Sequence, residues 1–595
     1  MSRYLVTSAL PYANGPIHFG HVAGAYLPAD VYVRYLKMAK GPENVLYVCG
    51  TDEHGVAITL KAEQAGVGYR EYVDGWHQEI RGLFDQFGIE FDTFSGTARC
   101  EYHAEASRKF FSVLLEREFV FEKTEQQWFS EQSGRFLPDR YLQGGCPQCG
   151  FETARGDECP NCGAWIDARE LKDPISLIDG SSPILKSTKH WYLDLPKLQE
   201  AGLDAWYRGQ DPEHPVHAWK PNVDGHVQAM LRDLHERPIT RDLPWGVELP
   251  KGLEDADGKV LYVWFDAPIG YISATMEWAA ANGESDAWRD WWQGQDTRLV
   301  HFIGKDNIAF HVVVFPSMLL GQQDSWDGKP FVLPWAVPAN EFYNLQGRKF
   351  NTSSGWYLDN KSFFEQYNAD AARFHVLMSS PETADSEFSW TEFQVTNNNL
   401  LADKVGNLAS RALKFVDKRF DGAVPELTEQ MLASDAVQAV LKHTSLAEAD
   451  EAFAAIAGYL ENFEFRKAAQ YFIAGCSSLN QFFDAMEPWK KIKGDEQDLA
   501  CCAATLERCV AYLELVSRRI APFCPTTAKK IRAMLGEAAE PEKAKNWGLE
   551  SAGNAPATAP AGAKIDVVEV LFNKLDDDQI AAEIEKLEAS AADAE

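Results

Sequence analysis

The sequence lacks the features that would place it in a membrane or export it. No uninterrupted apolar run approaches the roughly 18 residues that a membrane-spanning helix needs. The first residues, Met1 to Thr7, read as the start of a strand and contain neither the apolar core nor the cleavage site of a signal peptide. We therefore expect no membrane span and no secretion, and a cytoplasmic location.

The chain is also poor in positive charge. Its 595 residues include 57 Lys and Arg against 88 Asp and Glu, which gives a formal net charge of −31. Phosphate contacts need basic side chains, so this balance taken alone argues against a nucleic-acid partner. Net charge describes solubility and steering, however, and it leaves a local basic groove open. The length predicts roughly three or four domains.

Eleven cysteines without an export signal indicate a reducing compartment, where metal binding is favoured over disulfides. Four of them form two CxxC pairs with nine residues between the pairs: Cys146, Cys149, Cys159 and Cys162. Four thiolates at this spacing can close a tetrahedral zinc site with no open position, which is typical of a structural zinc. Free or redox-active cysteines are the alternative.

The strongest functional signal is the segment His18-Phe19-Gly20-His21, which follows an apolar run from Tyr4 to Leu10 and opens a helix-like stretch ending at Gly41. Two imidazoles three residues apart on a first helical turn share one face, at the carboxyl end of the preceding strand. That end of an open α/β sheet binds nucleotides, and the helix N-terminus favours phosphate. Gly20 leaves room for close approach of a ligand. A pair of helix-surface histidines is the alternative.

Three further segments place polar or glycine residues beside apolar runs. Asp52-Glu-His-Gly55 ends a second predicted strand, and its acid could bind a ligand ammonium. Val263–Tyr271 is predicted as an aromatic-rich strand-to-helix turn, whose rings taken singly are more typical of core. Gly304-Lys-Asp306 ends a further strand, and an aspartate there suits ribose hydroxyls. Four strands that end in this way indicate one shared site.

The C-terminal third reads as helical. From about Ser386 to Leu535 there are few internal Gly or Pro residues, and apolar side chains recur at helical spacing, as at Leu401, Val405, Leu408 and Leu413. Residues 552–563 read as a flexible linker, and Asp576 to Glu595 as an acidic helix that is either solvated or tied back onto the body.

These segments together resemble the class I methionyl-tRNA synthetase family, and the resemblance runs from residue 4 to about residue 540. It implies an α/β fold: a Rossmann-like class I synthetase catalytic domain with a zinc-knuckle insertion, followed by an α-helical anticodon-binding domain. The expected parts are the first catalytic half (1–115), the connective insertion (116–238), the second catalytic half (239–330), a stem-contact region (331–385), the anticodon-binding domain (386–545), and a linker with an acidic helix (546–595).

The resemblance implies the activity of a methionine–tRNA ligase. Such an enzyme activates methionine with ATP to methionyl-adenylate and transfers it to the 3′ end of tRNA(Met), initiator tRNA included; Mg²⁺ accompanies ATP and one structural zinc is expected. The residues implied for catalysis are His18, His21, Lys349 and Arg241, and for ATP binding Gly20, Gly304, Asp306, Lys349 and Thr352. Those implied for methionine are Leu10, Tyr12, Asp52, Trp264, Ala267, Pro268, Tyr271 and His311, and for the anticodon Asn407, Arg411 and Trp489.

One signature departs from the family pattern. The loop that usually reads Lys-Met-Ser-Lys-Ser is Lys349-Phe-Asn-Thr-Ser353 here, so Thr352 replaces the second lysine. A branch of the family has Lys-Phe-Ser-Thr-Ser, and Asn351 departs from that as well. We expect Lys349, backed by Arg348 and Mg²⁺, to carry the charge of the leaving pyrophosphate.

Two other functions fit parts of the pattern. One is a class I synthetase for an aliphatic amino acid, although an insertion of about 120 residues is short for an editing domain. The other is a non-catalytic RNA-binding relative, which the Thr352 change would permit. Asn407 and Arg411 could also form a simple helix-surface pair. The sequence does not give the oligomeric state.

Overall fold

The computed structural model describes residues 2–138, 141–156, 159, 161–162, 166–351, 354–536 and 561–592. The predicted ATP-binding residue Thr352 and most of the predicted linker lie outside these residues. Within the described part of the chain, no helix is both long enough and apolar enough to cross a membrane.

Seventeen strands occur in the described residues. In chain order they are β1 (Arg3–Ser8), β2 (Val45–Thr51), β3 (Thr93–Gly96), β4 (Val120–Ser130), β5 (Arg135–Phe136), β6 (Leu142–Gly145), β7 (Ala154–Arg155), β8 (Lys172–Ser176), β9 (Ile184–Leu193), β10 (Arg237–Pro238), β11 (Thr240–Arg241), β12 (Val260–Leu261), β13 (Thr297–Gly304), β14 (Pro334–Ala336), β15 (Ala339–Asn340), β16 (Tyr343–Leu345) and β17 (Ser386–Phe388).

The core of the catalytic part is a parallel sheet with the strand order β14-β13-β1-β2-β3, with β15 also paired to β13. Thr7 of β1 lies opposite Val48 of β2 on one side and His301 of β13 on the other. All seven residues of β2 are buried, as expected for a strand covered by helices on both faces. Since β1, β2 and β13 are parallel, their carboxyl ends meet at one edge of the sheet.

Helices of the catalytic part cover this sheet. They are Phe19–His21, Val22–Tyr26, Leu27–Lys40, Pro42–Asn44, Val56–Ala65, Tyr69–Phe87, His103–Glu116, Val263–Asp266, Ile269–Ala281, Trp288–Trp292, Lys305–Asn307, Ala309–Val314 and Phe315–Gln322. The first three run on continuously from His18, so the predicted helix up to Gly41 is confirmed; its π-type turn Val22–Tyr26 directly follows the histidine segment. π-Type turns are frequent at functional sites.

One predicted element is wrong. Val263–Tyr271 was expected to contain a fourth strand ending at the site, but Val263–Asp266 is a helical turn, and the preceding β12 pairs with β11 outside the central sheet. A short apolar run does not distinguish a buried strand from a buried helical turn, which is why the pattern misled.

The insertion is built from antiparallel strands. Its long pair β4–β9 joins β5 and β10 in a four-stranded sheet, and β7-β6-β8 form a three-stranded sheet next to the cysteines. Its helices are Ala168–Glu170, Leu195–Leu198, Gln199–Leu203, Asp204–Tyr207 and Pro221–Leu231.

The C-terminal part is helical, as predicted. Its helices, with those leading into it, are Asn360–Gln366, Ala369–Met378, Trp390–Val395, Thr396–Gly406, Asn407–Arg419, Glu429–Leu432, Asp435–Leu441, Thr444–Glu461, Phe465–Met486, Pro488–Lys491, Glu496–Ile520, Pro525–Met534 and Asp577–Ala592. The predicted apolar repeat is buried throughout: Leu401, Val405, Leu408 and Leu413. The Asp495 carboxylate starts the longest helix by accepting a hydrogen bond from the Asp498 N–H at 2.9 Å.

Buried arginine contacts join the helical part to the catalytic part. Arg373 is fully buried and donates to the Asp30 carboxylate at 2.6 Å and to the Phe523 carbonyl at 2.9 Å. The C-terminal helix is tied back onto the body, since the Tyr367 hydroxyl donates to Glu583 at 3.3 Å. Of the two alternatives for that acidic helix, the structure therefore has the docked one.

Candidate active site

A cavity of about 260 Å³ lies at the carboxyl edge of the central sheet. Its walls come from the ends of β1 and β13, from the helix that begins at His18, and from the segment 340–350. Six residues predicted from three distant segments line it together: His18, Gly20, His21, Gly304, Asp306 and Lys349. The shared site expected from strand ends therefore exists for β1 and β13.

The two histidines form a reciprocal cap at the start of their helix. The Nδ1 atom of His18 accepts the Gly20 N–H at 3.1 Å, and the Nδ1 atom of His21 accepts the His18 N–H at 3.2 Å. Because both Nδ1 atoms are acceptors, each ring carries its proton on Nε2. A Cβ at Gly20 would lie 2.9 Å from the His18 ring, so glycine at this position is what allows the ring to fold back.

Partial removal from water by the surrounding protein keeps both imidazoles neutral, although His18 is only half-buried and His21 is exposed at the cavity surface. This desolvation lowers the pKa of His18 to about 2, with His21 as a smaller contribution, and lowers the pKa of His21 to about 4. At neutral pH the pair therefore offers two N–H donors and no positive charge. These donors suit an anionic ligand through hydrogen bonding alone.

The second signature packs directly on the first. The Phe350 ring stacks on the His18 ring at a centroid distance of 4.5 Å, with the planes 9° apart. Next to this contact, Lys349 lies in the cavity wall. Its positive charge acts to lower the pKa of Asp306, whereas burial acts to raise it. Burial is the larger influence, and the pKa of Asp306 is raised.

Two predicted cations lie outside the cavity lining. The Arg241 guanidinium is buried over the Tyr262 ring at 3.9 Å, and the Arg348 guanidinium lies over the Trp356 ring at 4.6 Å. In this structure the Arg348 guanidinium therefore packs on an aromatic ring. Arg348 is not among the described residues that line the cavity, so the expected contribution of its charge beside Lys349 is not seen.

Sequence reasoning missed several residues of this wall. Lys305 lines the cavity between the predicted residues Gly304 and Asp306. Glu341 and Phe342 line it from the segment before the second signature, and Phe350 lines it from within that signature. Lys305 could have been found, because it stands inside the Gly304-Lys-Asp306 segment. Phe350 could also have been found, because it stands beside Lys349 in the second signature. Glu341 and Phe342 could not, because only the fold brings their segment to the edge of the sheet.

Asp52 follows β2 at the same edge of the sheet as this cavity, and its acid group is unsatisfied. It pairs with Tyr12 through a parallel bridge, and its buried Oδ1 has no hydrogen-bond partner among the described residues. Burial, then the nearby Asp266 charge, raises the pKa of Asp52 well above its usual range. A buried orphan carboxylate oxygen is costly, which marks it as a place for a cationic ligand group.

Several predicted methionine-binding residues contact one another or their neighbours on the helix that follows Pro268 and on the turn after β13. The Tyr271 hydroxyl donates to the His311 Nε2 at 2.8 Å, since the His311 Nδ1 donates to the Asn307 carbonyl at 3.0 Å. Leu10 packs so closely on the helix of Tyr271 that a Cβ at Gly270 would lie 2.9 Å from its Cδ1 atom.

The rest of the predicted set lies on the segment before that helix. Trp264 is 43% exposed and its ring lies 4.7 Å from the Phe310 ring, so it stands at the surface of this region. Ala267 and Pro268 connect Trp264 to the helix Ile269–Ala281.

The four predicted metal ligands lie together, with their sulfur atoms within 4.8 Å of one another: Cys146, Cys149, Cys159 and Cys162. Two sulfur–sulfur distances are 3.9 Å and 3.6 Å. A tetrahedral zinc with bonds of about 2.3 Å needs sulfur–sulfur edges of about 3.8 Å. The cluster therefore fits one zinc ion. The backbone N–H of Phe151 is the main cause that lowers the pKa of the Cys149 thiol to about 6, which favours a thiolate.

Comparison with known proteins decides the family. The family described as tRNA synthetases class I (M) matches residues 4–413. Methionine–tRNA ligase of Protochlamydia amoebophila is 42% identical over 592 residues, which are 98% of this chain and 79% of that protein. The chain belongs to the class I methionyl-tRNA synthetase family. Methionine–tRNA ligase of Salinibacter ruber is 43% identical over 612 aligned residues, or 99% of this chain and 82% of that protein.

The fold of this methionyl-tRNA synthetase family member also matches a solved structure. Mycobacterium tuberculosis methionyl-tRNA synthetase bound by methionyl-adenylate has a TM-score of 0.74 at 23% identity, covering 96% of this chain and 100% of that chain. The predicted fold class, a Rossmann-like catalytic domain with a cysteine-bearing insertion and a helical domain, is confirmed. The anticodon binding domain of methionyl tRNA ligase matches residues 435–592.

In this family member, the three predicted anticodon residues share one helical surface. Asn407 donates to Asn480 at 3.5 Å, and Arg411 donates to Asp484 at 2.5 Å. The Arg411 guanidinium also lies 5.7 Å from the centre of the Trp489 ring, which is 38% exposed. The structure thus brings Arg411 and Trp489 together, and their role stays a prediction.

Proposed function

We propose that this chain is a methionine–tRNA ligase that forms methionyl-adenylate from methionine and ATP and transfers the methionyl group to tRNA(Met). The observation that carries this proposal is the cavity that the His18–His21 segment and Lys349 line together, with the orphan carboxylate oxygen of Asp52 after β2 at the same edge of the sheet. Membership of the family and the names of its relatives support it.

The cavity holds the triphosphate of ATP in this proposal. A methionine carboxylate oxygen attacks the α-phosphorus, the bond to the oxygen that bridges to the β-phosphate breaks, and pyrophosphate leaves with the electron pair. The Nε2–H groups of His18 and His21 donate to phosphate oxygens, while the ammonium of Lys349 stabilises the leaving charge. Gly304 and Asp306 take the adenosine, with Asp306 on the ribose.

Methionine binds next to this cavity. Its ammonium pairs with the orphan Oδ1 of Asp52, and its thioether packs against the aromatic lining that includes Tyr271 and Trp264. The remaining predicted set completes the pocket: Leu10, Tyr12, Ala267, Pro268 and His311. Arg241 is buried against the ring of Tyr262, two residues before Trp264, and contributes its charge from the methionine side of the site.

ATP arrives with Mg²⁺ in this proposal. Mg²⁺ binds oxygen ligands, and the phosphate groups of ATP supply them. The ion neutralises part of the negative charge of the phosphates. The initiator form of tRNA(Met) and a cytoplasmic location belong to the same proposal, because the activity serves translation.

The cysteine cluster holds one structural zinc. Metal analysis of the purified protein is expected to give about one zinc per chain, because the four thiols have tetrahedral spacing and leave no open position. Removing the metal with a chelator should expose the segment around Cys146 and Cys159 to protease while the thermal unfolding of the catalytic core persists. Substantially less than one zinc per chain in freshly purified protein would contradict this assignment.

Replacing Trp489 by alanine is expected to weaken tRNA charging and to spare methionine activation. The ring can stack on an unpaired anticodon base, which is worth about 1–3 kcal/mol, so kcat/KM for tRNA should fall about 5- to 150-fold. The control is Tyr471→Ala, which removes an equally exposed ring from another face of the helical part. Equal losses of charging and activation in Trp489→Ala would indicate misfolding.

Methionine-dependent exchange of pyrophosphate into ATP separates this function from its alternatives. Exchange with methionine supports the proposal. Exchange only with valine or leucine would identify a synthetase for an aliphatic amino acid, and no exchange with any amino acid would identify a non-catalytic relative.

A further inference from the structure

The cavity has few permanent positive charges for a triphosphate. Both histidines in its wall are neutral, since desolvation lowers their pKa values, and among the described lining residues the ammonium groups are those of Lys305 and Lys349. The signature position that could have supplied a further lysine is Thr352. The charge of the phosphates therefore has to be met largely by two lysines and the accompanying Mg²⁺.

Lys305 stands at the same part of the wall as Lys349. The Lys305 Nζ lies 3.9 Å from the centre of the Phe342 ring, and the Lys349 Nζ lies 5.0 Å from the same centre. The two ammonium groups thus adjoin one aromatic ring. The Lys305 Nζ also contacts the Glu341 carboxylate at 2.7 Å and the Asp385 carboxylate at 3.2 Å.

We propose that Lys305 is a second triphosphate-binding cation, which leaves Glu341 and Asp385 when ATP enters and contacts the β- and γ-phosphates beside Lys349. This inference rests on the proposed function, since it names a further residue for the same nucleotide. Lysine suits the role because its ammonium moves on a flexible four-carbon stem.

When Lys305 moves to the phosphates, Glu341 and Asp385 each still accept one hydrogen bond. Glu341 keeps the Asn222 side-chain amide as a donor at 2.9 Å, and Asp385 keeps the Phe342 N–H at 3.0 Å. The Lys305 side chain is 29% exposed, and ion pairs with that degree of solvent contact are weak. A phosphate group is the stronger partner, because it offers several charged oxygens.

Two substitutions separate this role from a purely structural ion pair. Lys305→Gln is expected to raise KM for ATP by roughly 10- to 100-fold, the loss of one charge-assisted contact, with KM for methionine within about twofold of the unchanged protein. Glu341→Gln is expected to lower KM for ATP about two- to threefold, because it frees Lys305 and removes a negative charge from the cavity. If the ion pair were purely structural, both substitutions would raise KM for ATP.

The control is Lys123→Gln, which removes a lysine from an exposed ion pair with Glu236 in the insertion and should leave both constants unchanged. Calorimetric titration with inorganic pyrophosphate gives a second readout that needs no methionine chemistry. Weaker pyrophosphate binding by Lys305→Gln supports the inference even if the unchanged protein fails to activate methionine. Activation by the unchanged protein, with normal ATP and pyrophosphate binding by Lys305→Gln, overturns the inference alone.

Discussion

Replacing Lys349 by alanine is expected to slow methionyl-adenylate formation by about 10²- to 10³-fold and to leave methionine binding nearly unchanged. The size is that of removing one preorganised group that stabilises developing charge in a transition state. The expected loss of rate is this large because the two neutral histidines of the cavity wall provide hydrogen bonds but no positive charge. Single-turnover formation of methionyl-adenylate measures the step directly.

The matched control for this prediction is Lys197→Ala, an exposed lysine of the insertion that contacts the Glu118 carbonyl. Lys349→Arg should recover part of the rate, since it restores the charge with a different geometry. An unchanged rate in Lys349→Ala would refute the assigned role. A matching loss of methionine affinity would point to a displaced loop, because Phe350 packs on His18 directly beside it.

Replacing Asp52 by asparagine is expected to raise KM for methionine by about 150- to 5,000-fold with little effect on KM for ATP. The methionine ammonium would then be buried without its counter-ion, and breaking such a pair costs about 3–5 kcal/mol. The same variant should be more stable to heat than the unchanged protein. Burial raises the pKa of Asp52, so its ionised form destabilises the folded state at neutral pH, and asparagine removes that cost.

The sign of the pH dependence follows from the same carboxylate. Only ionised Asp52 can pair with the ammonium, and its raised pKa leaves more of it protonated as the pH falls. Methionine affinity should therefore strengthen as the pH rises through that pKa, and the dependence should vanish in Asp52→Asn. A destabilised Asp52→Asn protein, or one with normal methionine affinity, would contradict the assignment.

Local patterns in the sequence identify the elements that bring the first signature to the site. The buried strand before Asp52 and the helix that begins at His18 follow from apolar runs and turn residues, and both occur as predicted. The prediction of a strand at Val263–Asp266 is wrong, because a run of three apolar or aromatic residues fits a strand and a buried helical turn equally well.

Contacts between distant segments could not be predicted in this way. The stacking of Phe350 on His18 and the pairing of Lys305 with Asp385 join residues far apart in the chain, and no local spacing encodes them. The neutrality of the two histidines depends likewise on desolvation by surrounding groups that only the folded chain brings together.

The most direct test of the central claim is pyrophosphate exchange into ATP by the purified chain, measured separately with methionine, valine and leucine. The proposed function predicts exchange that depends on methionine, is negligible with the other two, and falls sharply in Lys349→Ala and Asp52→Asn. Absence of exchange with methionine, in protein that holds its zinc and melts cooperatively, would contradict it.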